Sequence, residues 1–453
     1  MTQLPDGPTN DAAISSSAAG DAAASPPAET TTRSLLGRFF GAIGAVVEWY
    51  DLMLYGYLSV VFARVFFPED ASPGVALAAT LGGFAIGFLM RPLGGLFFGW
   101  LGDRHGRKTS LMVAITMMSF PMLGTAILPG YAAWGWAAPI LLIFFRMVQG
   151  FSSGGEFSGT LVFLSEDANR GRRGRIASIA TTFAGIGILL ASLVATVLAT
   201  LLTEAQLDSW GWRIAYGIGG LIIVLGIFMR LKMQETERFE QVQGDGRVAK
   251  RPLRAAITKH WRMILVIAAL AGYSGIVYFI VMTYLVSYLE GTIGIPHDTA
   301  LLMATVAALI YAVTAYWFGW FSDKIGRKPP MIWSAVALVI VAIPCFWMLS
   351  SGNLFVIYLS MAILILPLLF FTGGFYPAAS EYIPTRERNA GMGIGYNFGV
   401  AILGSTAPFV AQVLINWTGN DIVPAYYLVA ASILILPVLW KLPETAFSKL
   451  KDY

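Results

Sequence analysis

"FGWLGDRHGRK" at residues 98–108 returns as "FGWFSDKIGRK" at 318–328, displaced by 220 residues and identical at seven of eleven positions. Each copy closes a long apolar stretch and then turns through an acid, a glycine and two basic residues. A weaker echo links "SEDANRGRRGR" at 165–175 with "SEYIPTRERNAG" at 380–391. This repetition predicts two halves of one design packed around a central cavity, a layout used by transporters. A carboxylate at such a helix end can cap a neighbouring helix and bond an arginine. Asp103, Arg107, Asp323 and Arg327 are therefore expected to form a gate that breaks when the halves rock. Anchoring at a membrane edge would explain the basic residues alone, but not an aspartate at the same place in both copies.

The composition names the solvent. The 453 residues are 57% hydrophobic and 12% charged, against about 25% charged in soluble domains. Apolar runs of about 18 residues or more, each able to cross a bilayer core, recur from about residue 35 to 442. In lipid a backbone must satisfy its own hydrogen bonds, so these runs are expected to be helices. Twelve are expected, at 35–62, 75–101, 109–128, 137–163, 175–202, 212–231, 260–289, 299–321, 331–349, 353–380, 389–416 and 423–442. The fold class is thus an all-α membrane protein of two six-helix halves, 35–231 and 260–442. They are flanked by a disordered tail at 1–34, joined by a polar linker at 232–259 and followed by a short tail at 443–453. Soluble all-α proteins need polar faces that these runs lack. Cys345, the single cysteine, lies in an apolar helix and reads as a buried structural thiol.

Orientation follows from charge. With the N-terminus in the cytoplasm and alternating helices, all but four of the 30 Lys and Arg fall on the cytoplasmic side, as the positive-inside rule requires. The four are Arg64 and Arg213 near outer ends, and Arg91 and Arg146 within helices. The net charge of +4 then reflects topology and calls for no nucleic acid. Both termini are expected in the cytoplasm.

Five charges lie within expected spans: Glu48, Asp51, Arg91, Arg146 and Glu156. Each costs about 2.5–3.5 kcal/mol at a bilayer centre on insertion scales, so they are expected to share a cavity. Three acids against two arginines leave one carboxylate free to hold a proton. Asp51 is preferred as that carrier, then Glu48, then Glu156, since the histidines His105, His260 and His297 all fall in loops or at helix ends. A permanent structural pair is the alternative for Glu48 or Glu156. Arg91 and Arg146 suit a carboxylate-bearing solute, with Trp49, Tyr50, Tyr55, Gln149, Tyr278, Tyr284, Tyr396 and Asn397 as further candidate contacts. Aromatic faces can also hold a quaternary amine.

The repeated loop resembles the signature loop of the major facilitator superfamily. Within it, "GAVVEWYD" (44–51), "GFLMRPLGG" (87–95), "RMVQGFSSGGEFSG" (146–159), "WGWRI" (210–214) and "ET" (235–236) with Phe239 are similar to the metabolite:H+ symporters. That resemblance implies twelve helices and transport of proline, betaine, citrate, α-ketoglutarate, shikimate or related acids. One departure is Ala45, where the family often has Asn after the glycine.

No phosphate loop, metal-spaced His/Cys cluster or Ser–His pair is present, so an enzyme is not expected. The reading is a proton-coupled symporter of a small carboxylate-bearing solute, a zwitterion such as proline or betaine or an organic acid. It would work by alternating access as a monomer in a bacterial inner membrane, with the proton gradient as energy source and no cofactor. A transport-inactive sensor or a proton-independent facilitator of the same fold is the alternative.

Overall fold

The computed structural model describes residues 28–68, 73–169, 171–246, 252–448 and 450. The expected tail at 1–27, the linker segment 247–251 and residues 449 and 451–453 lie outside them. The main body is residues 37–453.

Among the described residues twelve main helices follow one another: α1 (Ala28–Tyr57), α2 (Pro73–His105), α3 (Arg107–Ile127), α4 (Ala137–Glu166), α5 (Arg173–Leu201), α6 (Trp212–Leu231), α7 (Pro252–Tyr278), α8 (His297–Ile325), α9 (Lys328–Leu349), α10 (Leu354–Tyr382), α11 (Arg388–Gly399) and α12 (Val423–Lys441). Helices α7 and α11 run on through wider turns, to Ile293 and Thr418. Among the described residues there is no strand, which is how a lipid-embedded backbone satisfies itself.

Several boundaries differ from the sequence expectation. The first helix begins at Ala28, so the last residues of the expected tail are helical. It breaks at Leu58 and turns by 66° into Ser59–Phe66. The bend follows Gly56, and ring packing holds it: Phe62 and Phe66 lie 5.5 and 5.4 Å from the Trp212 ring, and Phe62 lies 5.3 Å from Tyr55. The linker carries a helix of its own, Glu237–Gly244, and α7 starts inside it at Pro252.

The contacts between the halves run through α5 against α8 and α2 against α11. Both crossings are close because glycine leaves room. A Cβ on Gly95 would meet the Gly393 carbonyl, and one on Gly174 would meet the Gly319 carbonyl. Small residues at crossings are the usual means of packing membrane helices. Beside the cavity, Phe279–Tyr284 in the α7 extension and Val400–Gly404 after α11 are π-turns, a distortion common at functional sites.

Candidate functional site

The two repeated loops fold alike. Gly106 and Gly326 hold φ of 101° and 104°, backbone that favours glycine, and this returns the next arginine onto its aspartate. Arg107 donates to Asp103 at 2.8 Å and Arg327 to Asp323 at 2.9 Å. Each aspartate also reaches into the other half. Asp103 accepts the backbone N–H groups of Asn389 (3.1 Å) and Ala390 (2.8 Å) at the start of α11. Asp323 accepts those of Gly174 (2.7 Å) and Arg175 (3.0 Å) at the start of α5. The native N-cap residues Glu387 and Arg172 supply no side-chain cap, so each helix end is capped by the opposite half.

Two buried glutamates complete the lock. Glu166 receives Arg107 of its own half and Arg388 of the other, at 3.0 and 2.8 Å. Glu381 receives Arg327 (3.1 Å) and Arg173 (2.8 Å) in the mirrored sense. Thr236 and Thr445 donate to these glutamates. Glu235 accepts N–H bonds from Arg107 and Lys108, and Glu444 from Arg327 and Lys328. Sequence reasoning missed Glu166, Glu381, Arg173, Arg388, Glu444 and Thr445. The signal was present: Lys-x-x-Glu-Thr occurs at 232–236 and again at 441–445. These twin acids differ electrostatically. Burial pushes the Glu235 carboxyl up from its ordinary value, against the N–H bonds it accepts. Burial also acts on Glu444, but the N–H groups of Arg327, Ala446, Lys328 and Thr445 outweigh it and hold that carboxyl low.

Between the halves lies a narrow cavity of about 20 Å³, roughly room for one water. Its wall is aromatic. Trp49 packs on Phe157 and Tyr278 with ring centroids 6.2 and 5.1 Å apart, and Phe157 on Tyr376 and Tyr396 at 5.4 and 5.6 Å. Tyr311, Ser274 and Arg91 complete the wall. Arg91 pairs with Glu48 at 2.9 Å and lies over Phe88 at 4.7 Å. Two buried donor atoms, Trp49 Nε1 and Tyr278 OH, have no hydrogen-bond acceptor among the described residues, whereas Arg91 Nη2 meets the Glu48 carboxylate.

The other expected contacts lie elsewhere. Arg146 donates to Asp51 at 3.0 Å and sits over Tyr55 at 4.7 Å, within the first half and outside the cavity wall. Tyr50 donates to Ala215 O (2.8 Å) and Tyr55 to Thr80 O (2.8 Å). Gln149 bonds Ser153 on its own helix. Asn397 donates to Gly154 O across the halves at 2.7 Å, and Tyr284 bonds Gln412 in the second half. Phe157, Tyr311 and Tyr376 were not anticipated; in a chain with 13% aromatic residues, no spacing distinguishes a wall from packing.

The charge count needs correction as well. Arg230, assigned by sequence to the basic loops, turns inward from the last turn of α6 to Glu156. It donates to that carboxylate at 2.8 Å and to Gly41 O and Leu111 O at 2.9 and 2.6 Å, with no exposure. A Cβ on Gly44 would fall on Glu156 and Arg230, so glycine makes this clamp possible. Three acids therefore meet three arginines in three separate pairs, and no carboxylate is left over by count.

A sequence profile described as Major Facilitator Superfamily matches residues 42–408. The chain is 32% identical to the "Proline/betaine transporter" of Escherichia coli K12 over 419 residues, covering 90% of this chain and 83% of that protein. It is 33% identical over 408 residues to the "Shikimate transporter" of the same organism, covering 89% and 92%. A solved structure of the "proton:xylose symporter XylE" superposes with a TM-score of 0.80 at 17% identity, over 93% of this chain and 98% of that one; at that identity the likeness speaks for the fold. With the twelve-helix fold and relatives that are transporters rather than enzymes, the chain belongs to the major facilitator superfamily and is a multi-pass membrane solute transporter.

Proposed function

We propose that this transporter imports a small carboxylate-bearing solute together with a proton, by alternating access. The observation that carries the proposal is the pair of unpartnered donors, Trp49 Nε1 and Tyr278 OH, beside the Arg91–Glu48 ion pair on the wall of an aromatic cavity. Buried donors are costly unless satisfied, and a carboxylate supplies the acceptor oxygens. The aromatic remainder of the wall suits an apolar or alkylammonium body, which favours a zwitterion of the proline or betaine kind over a di- or tricarboxylate. The names of the relatives are in keeping with this, and shikimate also carries a single carboxylate.

Proton coupling then has a physical basis. Solute and Glu48 compete for one guanidinium, Arg91. A proton on Glu48 cancels its charge and frees Arg91 for the solute, so the two ligands favour each other. Asp51 lies one helical turn further along α1, about 5 Å towards the opposite face, and its pair with Arg146 is the relay through which the proton enters. The end of the bundle that carries the repeated loops is the cytoplasmic gate, formed by Asp103, Arg107, Asp323 and Arg327 with Glu166 and Glu381, and both termini lie on that side of a bacterial inner membrane. The gate is shut when these pairs are made, and it opens as the halves rock. A single chain suffices.

Uptake into proteoliposomes under an imposed pH gradient tests the proposal, with glycine betaine, proline, shikimate, and mono-, di- and tricarboxylates as competitors. Stimulation by a gradient that is acid outside and negative inside, and competition by monocarboxylates, are expected. Uptake indifferent to the gradient would make the protein a facilitator, and no uptake of any of these solutes would point to a sensor.

A further inference from the structure

Arg64 and Arg213 stood apart in the charge pattern, near the ends of helices on the face opposite the repeated loops. The structure brings both to the wall of one cavity of about 680 Å³, far roomier than the central one and separate from it. Its floor and sides come from Ser59–Phe66, the turn at Gly130 and Tyr131, and the approach to α6 from Ala205 to Arg213. The two arginines differ in one respect. Arg64 is fully engaged, holding Asp208 with two parallel bonds of 2.7 Å each. Among the described residues Arg213 meets no carboxylate: it donates to the carbonyls of Ser209 and Leu128 and lies 4.3 Å over the Trp212 ring. Among the described residues its bonds are to these two carbonyls. The described lining therefore carries two arginines against one carboxylate, Asp208, with a fork-shaped donor held in place from behind, the Tyr131 and Ser209 side chains, and an apolar side of Val65, Phe67 and Pro68.

We propose that this cavity binds an oxyanion on an apolar body, with Arg213 as its fork. A carboxylate or phosphate fits the two parallel N–H directions of a guanidinium, and the apolar side accommodates the carbon skeleton. Two sources share this chemistry, the phosphodiester headgroup of an anionic lipid and a free anion arriving from water. The site lies apart from the central cavity and does not depend on proton coupling.

Modification of Arg213 by phenylglyoxal, followed by peptide mass spectrometry, tests the proposal on the full chain in nanodiscs. In phosphatidylcholine alone the residue is expected to react. A ligand at ten times its Kd should slow that reaction roughly tenfold. Slowing by phosphatidylglycerol, but not by inorganic phosphate or acetate in phosphatidylcholine discs, identifies a lipid site. Slowing by phosphate or acetate identifies a site for free anions. Native mass spectrometry adds a second readout: Arg213→Gln should lose one retained phosphatidylglycerol that Arg213→Lys partly keeps. Equal reaction rates under all these conditions, with equal lipid retention by the variants, overturn the proposal.

Discussion

Arg91, in the wall of the central cavity, meets Glu48 through one guanidinium nitrogen, Nη2, at 2.9 Å. That single contact makes a looser pair than Arg230–Glu156 behind it, where the fork bonds both oxygens. A loose pair can exchange partners. Glu48→Gln is therefore expected to abolish acid-stimulated uptake while preserving solute binding and counterflow. Arg91→Gln should weaken solute binding by about 10- to 100-fold, the worth of a hydrogen bond to a charged group. Isothermal titration and counterflow assays distinguish the two; unchanged acid stimulation in Glu48→Gln would refute the exchange.

Asp51→Asn is expected to abolish proton-driven uptake and leave counterflow partly intact, because an amide keeps a hydrogen bond to Arg146 but takes up no proton. Normal acid-stimulated uptake by this variant would remove Asp51 from the coupling path.

At the gate, Glu166→Gln combined with Glu381→Gln leaves Arg388 and Arg173 buried without their acids. Such a loss costs about 3–5 kcal/mol where the charge stays buried, and here the cost falls on the closed state. Spin labels at Arg104 and Lys324, equivalent exposed positions in the two loops, should move apart in the variant. An unchanged distance distribution would mean that these pairs do not set the closed state.

The twin loop acids predict opposite responses to pH. Glu444 has a lowered carboxyl, so its contribution to stability is present above the ordinary carboxylate value and disappears as pH falls through the lowered one. Glu235 has a raised carboxyl, so ionisation costs stability and its charge is the first to go on acidification. Glu444→Gln should accordingly lower Tm at about pH 7 and matter progressively less in acid, whereas Glu235→Gln should lower it less at about pH 7. Thermal unfolding across pH checks the sign; equal losses at both positions would contradict it.

Glu156→Gln should cost stability without uncoupling transport, since its partner Arg230 stays buried among the Gly41 and Leu111 carbonyls. Loss of Tm with a normal pH profile of uptake is the expected pattern, and loss of acid stimulation at full stability the contrary one.

Much of the architecture was legible because lipid simplifies the code: length and apolarity mark each span, and the duplicated loop marks each half. The capping aspartates were legible for the same reason, since Asp103 and Asp323 stand at equal places in the repeat. The partners of buried charges were not. Arg230 sits at a helix end and looks like any basic anchor until the glycines of α1 are seen to admit its side chain. The cavity wall was half legible: Trp49, Arg91, Tyr278 and Tyr396 were candidates, but Tyr311 and Tyr376 share a period and composition with ordinary packing. The break at Leu58 follows Gly56, a signal the sequence offered, while the rings that hold the turned segment on Trp212 are distant in sequence.

The exchanged caps have a consequence for the solvent. Separating the halves at the loop end strips four backbone N–H groups, those of Gly174, Arg175, Asn389 and Ala390, of their aspartates. Arg173 and Arg388 lose their acids in the same movement. None of these groups can remain dry, so opening this end is a hydration reaction that takes up a defined set of waters. Under the proposed gating its equilibrium would depend on water activity, and concentrated excluded solutes on that side would hold the gate shut.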